Sequence, residues 1–243
     1  MTRSSLELLW GTGERPSRGP KPGIGLDRIV TAAVEVADAE GLDAVSMRRV
    51  ATELGVGTMS LYRYVPGKAE LLDLMLDRVQ AESLAAEPPR EVDWREAIGI
   101  LARSYRALFH AHPWLLKVNE ARSALGPSTL RGLELCLTGL KGMGLTDPET
   151  ISVIITVQSF ATGIARMEIQ TVEAAKETGV SHEEFWEGQR PYLERAMTSG
   201  EFPHMAALAE DTFRTDFDHF AFGLARLLDG FEALVKSRAA RQP

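Results

Sequence analysis

The chain is poor in cysteine, in aromatic residues and in net positive charge. Of its 243 residues only Cys136 is a cysteine. A disulfide within the chain is therefore impossible, as is a zinc site built on paired cysteines. A reducing compartment is the natural setting. Aromatic side chains make up 7% of the sequence, while Ala and Leu are abundant, a balance that favours helices over strands. Lys and Arg number 27 against 34 Asp and Glu, a formal net charge of −7. That excludes a uniformly basic nucleic-acid coat and leaves only a local basic face open. No apolar run comes near the ~18 residues that span a bilayer, and the longest, 151–157, is broken by Ser152 and Thr156. The first apolar stretch is too short for a signal peptide. The expectation is a soluble, cytoplasmic protein with no membrane partner.

Hydrophobic residues make up 44% of the chain, enough to bury a core in one large domain or two small ones. Residues 1–25 stand apart: GTGERPSRGPKPGIG is rich in Gly and Pro and holds Arg15, Arg18 and Lys21 against Glu14. This composition predicts a flexible basic arm. Beyond it, three- and four-residue apolar spacing predicts helices over 26–40, 47–54, 56–64, 68–86, 94–111, 128–143, 147–177, 183–198 and 210–239. Asp147 is read as the cap of the 147–177 helix and Pro148 as its first helical residue. No segment alternates with period two, so the fold class is all-α. The organisation expected is an arm over 1–25, a helical unit over 26–86 and a larger helical unit over 87–243.

Residues 46–68, SMRRVATELGVGTMSLYRYVPGK, carry the strongest signal. Ser46 is a good N-cap, and Ala51 is small enough for two short helices to cross closely. Gly55 permits the left-handed reversal between them. Val50, Leu54, Val56 and Leu61 then form an apolar seam, which turns Thr58, Met59, Ser60, Tyr62 and Arg63 outward. Arg48, Arg49, Arg63 and Lys68 oppose only Glu53 here. A helix of about 10–12 Å diameter fits a major groove about 12 Å wide. Tyr62, Tyr64 and Lys68 are placed for phosphates, Thr58, Met59 and Ser60 for base edges, and Arg48 for a guanine.

On these residues, LGVGTMSLYRYVPGKAELLD and the preceding GLDAVSMRRVA, the segment 26–79 resembles the DNA-binding domain of the tetracycline-repressor (TetR) family. The resemblance implies an all-helical homodimer that regulates transcription, usually as a repressor, with a small-molecule effector bound by the C-terminal domain. By position it assigns Tyr62 and Lys68 to phosphate and Thr58, Met59, Ser60 and Arg48 to bases. Residues 94–237 are similar, more weakly, to the effector domain of the tetracycline-repressor subgroup.

In the C-terminal region the 147–172 and 210–237 helices are apolar over wide arcs and predict a two-fold, four-helix dimer interface. Gly223 and Gly230 offer room for close helix approach. Tyr105, His112 and Trp114 near the Pro113 break, and Gln158, Thr162 and Arg166 at four-residue steps, are the candidate effector contacts. His110 and His112 point to different sides of a helix, so they form no joint metal site. Neither a metal nor a cofactor is expected, and the subgroup's drug–magnesium recognition has no matching histidine near Val118. The effector is expected to be largely apolar. Cys136 reads as a small core residue. Two other functions stay open: a DNA-binding module whose C-terminal domain only dimerises, and a helical enzyme. The second has no nucleophile elbow, phosphate loop or metal-ligand spacing behind it.

Overall fold

The computed structural model describes residues 4–11, 24–86, 91–118, 124–209, 212 and 217–240. Among them every regular element is helical: α1 (Ser5–Leu9), α2 (Leu26–Glu40), α3 (Met47–Glu53), α4 (Thr58–Leu61), α5 (Lys68–Ala86), α6 (Trp94–Ala111), α7 (Pro127–Leu140), α8 (Asp147–Thr178), α9 (His182–Thr198), α10 (Pro203–Ala206) and α11 (His219–Ala239). Short 3-10 turns occupy Leu42–Ala44, Pro113–Lys117 and Lys141–Met143. The all-α expectation holds.

The flexible arm expected over 1–25 is corrected at its start. Ser4 and Glu7 close a capping box, and Leu8 is buried in the core that α5 helps to form. Trp10 Nε1 donates to the Leu125 carbonyl at 3.2 Å. A five-residue helix is too short to persist alone, so its packing against α5 sustains it. Arg15, Arg18 and Lys21 lie outside the described residues.

Helices α2 to α5 form the N-terminal unit. The apolar stripe of α2, from Ile29 to Ala37, is buried, and Val50, Ala51, Leu61, Val65, Leu71 and Met75 close over it. The same cluster continues into Leu108, Phe109, Trp114 and Leu115 at the end of α6 and into Ala165 and Ile169 of α8. The two regions thus share one core at their junction. A second cluster joins α6, α7, α8 and α11 through Ile98, Ala102, Leu140, Val153, Val157, Ala161, Phe220 and Leu224.

Two helix starts differ from expectation. Thr146, not Asp147, caps α8, sharing a capping box with Glu149. The last helix begins at His219 rather than 210, because the Asp218 side chain accepts from Ala221 N at 2.8 Å and fixes the cap there. Phe213 lies outside the described residues. Helix α8 has the length and hydropathy to cross a bilayer, yet its Val153–Val157–Ala161–Ala165 stripe is buried against α6 and α11. Gly223 lets α11 approach α8 closely, since a Cβ there would meet the Phe160 ring at 2.5 Å. Gly230 faces open space and performs no such task within the protomer.

Candidate nucleic-acid interface

The turn between α3 and α4 explains the local shape. Gly55 adopts φ +68°, its N–H donates to the Thr52 carbonyl at 3.1 Å, and Val56 N donates to Ala51 at 2.9 Å. This paired 5→2 and 6→1 closure stops α3 and satisfies carbonyls the helix would otherwise leave bare. Ser46 caps the other end through Arg49 N at 3.1 Å. Val50, Ala51 and Leu61 are almost wholly buried and anchor α4. With its inner side fixed by Leu61, α4 turns Met59 out to 76% exposure and Tyr62 to 45%, with Thr58 and Ser60 half-buried between them. Arg48, Arg63 and Lys68 are also exposed. Arg48 and Arg63 make no ion pair among the described residues, and Lys68 Nζ reaches the Leu42 carbonyl at 3.4 Å.

Two of the candidate DNA-contact residues differ from expectation. Arg49 is not a free cation. Its guanidinium is held by Glu40 at 2.6 Å and by Glu53 at 2.7 Å. Hydrogen bonds to those two carboxylates push its pKa still higher, while the Glu40 carboxyl is lowered chiefly by its bond to Arg49. Glu40 stands nine residues earlier, on α2, outside residues 46–68. Tyr64 is half-buried, with its ring packed on the first core cluster, and is part wall rather than a wholly outward contact.

The candidate effector residues do not converge on one cavity. Gln158 donates to the Tyr105 hydroxyl, tying α8 to α6. His112 and Trp114 are both buried, and His112 Nδ1 and Trp114 Nε1 both face Asp38 Oδ1 of α2, each at 2.8 Å. They belong to the junction between the two regions. Asp38 lies 74 and 76 residues away from them, beyond any local pattern. Thr162 is half-buried on α8. Arg166 is exposed in an open groove of about 450 Å³ between α8 and α9, with Met167, Gln170, His182 and Phe185.

The sequence reading also missed a charged cluster inside the helical body. Arg106 donates to both Glu168 oxygens, and His110 Nε2 lies 2.7 Å from one of them. His110 and His112 do face different partners, Glu168 and Asp38. Among the described residues no group of three His, Cys, Asp or Glu side chains is placed to hold a metal ion. Burial pushes the Cys136 thiol up to about 11, which keeps it protonated at neutral pH.

Residues 29–75 match the model of bacterial regulatory proteins of the tetR family, and residues 87–235 match that of the tetracyclin repressor-like C-terminal domain. The HTH-type transcriptional repressor DrrR1 of Streptomyces coeruleorubidus is 57% identical over 234 residues, covering 96% of this chain and 87% of its own. The crystal structure of apo ActR from Streptomyces coelicolor superposes with TM-score 0.68 at 31% identity, over 90% of this chain and 99% of that one. ActR in complex with actinorhodin gives TM-score 0.68 at 32% identity, over 88% and 97%.

Proposed function

The chain belongs to the tetR family of bacterial regulatory proteins, and from its membership as a transcriptional regulator we propose that it is a homodimeric, cytoplasmic repressor released from a palindromic operator by a small, largely apolar effector. The observation that carries this reading is the outward side of α4. Thr58, Met59, Ser60 and Tyr62 stand on a helix whose other side is locked by Leu61, with Arg48, Arg63 and Lys68 exposed around it. Side chains of this kind read base edges, while the hydroxyl and cations position the unit on phosphates. In this reading Arg49 shapes the edge of the interface through Glu40 and Glu53 rather than pairing with phosphate.

Dimerisation is supported by what one protomer leaves uncovered. Ile151, Ile155 and Met167 of α8 and Phe222 of α11 are exposed. A second copy supplying the same two helices would bury them in a four-helix interface. It would also present two reading units to half-sites roughly 34 Å apart. The similarity to ActR bound to actinorhodin supports a small-molecule effector taken up by the α6–α8 body, where Tyr105, Gln158, Thr162 and Arg166 remain candidate contacts. In this assignment residues 26–86 bind DNA and 87–243 bind effector and partner.

The test is selection of bound duplexes from a random pool by the full chain, then measurement of their release by actinorhodin and related polycyclic aromatics. A palindrome bound by dimers and released by one of these supports the reading. Recovery of no preferred sequence overturns it. A palindrome that none of the compounds releases, with no compound bound by calorimetry, favours a module whose C-terminal domain only dimerises.

A further inference from the structure

Asp38 is the point where the N-terminal unit holds the end of α6. One carboxylate oxygen receives two donors from the far side of the junction, His112 Nδ1 and Trp114 Nε1, each at 2.8 Å. His112 is the C-cap of α6, and Trp114 belongs to the 3-10 turn that follows it. The histidine ring stands edge-on to the indole, with centroids 6.1 Å apart. Its Nε2 lies 3.7 Å from a Glu82 oxygen on α5. Both rings are buried, so a lost partner could not be replaced by bulk water.

The other end of this connection is equally fixed. Tyr105, Arg106 and His110 tie α6 to Gln158 and Glu168 of α8. The last two turns of α6 are therefore held to α8 and its tip to α2. Leu108, Phe109 and Leu115 share an apolar cluster with the α2 stripe, and such packing is non-directional: it sets a distance but resists sliding weakly. Two N–H donors converging on one oxygen fix direction as well.

We propose that Asp38 is a positioning residue, setting the angle at which the α3–α4 unit stands from the helical body and hence the half-site spacing a dimer accepts. This rests on the reading of the chain as a dimeric operator-binding regulator. Asp38 itself touches no DNA in this account; it acts through the orientation of α2.

The test compares the full chain with Asp38→Ala, which removes the shared acceptor, and Trp114→Phe on the selected operator and on duplexes whose half-sites are moved one base pair closer or further apart. Trp114→Phe keeps an aromatic ring in place while deleting the Nε1 donor and part of the buried ring volume. Arg78→Gln is the control: it breaks a different link to α2, through Asp27 and Thr31, and lowers the melting temperature without touching Asp38. Circular dichroism establishes that each variant is folded at the assay temperature, and a variant that is not is measured at a lower one. The expected result is that Asp38→Ala and Trp114→Phe lose about tenfold of the parent's discrimination between spacings, while Arg78→Gln retains it. Folded variants that discriminate like the parent overturn the assignment, and so does an equal loss in the control. A parent that prefers no spaced pair of half-sites fails the regulator reading itself, an outcome distinct from either.

Discussion

Arg106 and Glu168 face each other across the α6–α8 contact, with two guanidinium nitrogens donating to two carboxylate oxygens at 2.9 and 2.7 Å. Burial, the largest influence, raises the Glu168 pKa, but the bonds from Arg106 and His110 together outweigh it, and the net shift is downward. A carboxyl lowered in the folded state contributes stability that is complete above its unfolded value, about 4.3, and is lost as pH falls through the folded one. Glu168→Gln is therefore expected to melt below the parent at neutral pH, with the gap narrowing as the solution is acidified past that range. Thermal melts across pH check this. A gap independent of pH would contradict the pairing.

Leu61 and Met59 lie two residues apart on α4 and should behave as opposites. Leu61 is fully buried, so Leu61→Ala should cost about 2–5 kcal/mol of stability. Met59→Ala, at 76% exposure, should stay within about 0.5 kcal/mol of the parent and instead change which base pairs are preferred. Denaturant titration and repeat selection of bound sequences separate the two effects.

Adjacent arginines should differ in salt dependence. Arg48→Ala is expected to weaken binding to all sequences and to reduce the slope of log affinity against log salt by about one contact's worth, roughly 0.9. Should Arg48 read a guanine instead, the loss falls at one operator position. Arg49→Gln should leave the slope unchanged, because Glu40 and Glu53 already neutralise that charge; its cost appears in the melting temperature. Binding isotherms at several salt concentrations measure both.

Cys136, with its thiol pushed up to about 11, should resist alkylation at neutral pH in the folded protein and react readily once denaturant is added. Rapid labelling of the native chain at neutral pH, read by mass spectrometry, would show a thiolate that burial does not permit.

The reading unit was legible because its determinants are local. Ser46, Ala51, Gly55 and Leu61 fall within one turn-and-helix length, and each residue type allows few backbone choices. Most helix limits were legible for the same reason: the bounds of α2, α5 and α6 follow from apolar spacing and from Gly41, the Pro-Gly before Lys68 and Pro113. The junction was not. Asp38 meets His112 and Trp114, and Arg106 meets Glu168, only after two or more helices have packed, so no window of sequence contains both partners. Arg49 misled because Glu40, nine residues earlier and on another helix, takes its charge. The docked α1 was obscured by the Gly- and Pro-rich stretch that follows it, whose composition dominated the reading of residues 1–25.

Oxidation of Met59 measures the central claim most directly. It is the most exposed of the methionines on any element facing the proposed groove, and a thioether in solvent reacts with peroxide where a covered one does not. The full chain is treated with peroxide alone and with saturating selected operator, and each methionine is followed by mass spectrometry. The account predicts that operator slows oxidation of Met59 several-fold while Met205, exposed on α10, keeps its DNA-free rate. Oxidation of Met59 at an unchanged rate, with the operator demonstrably bound, would contradict it.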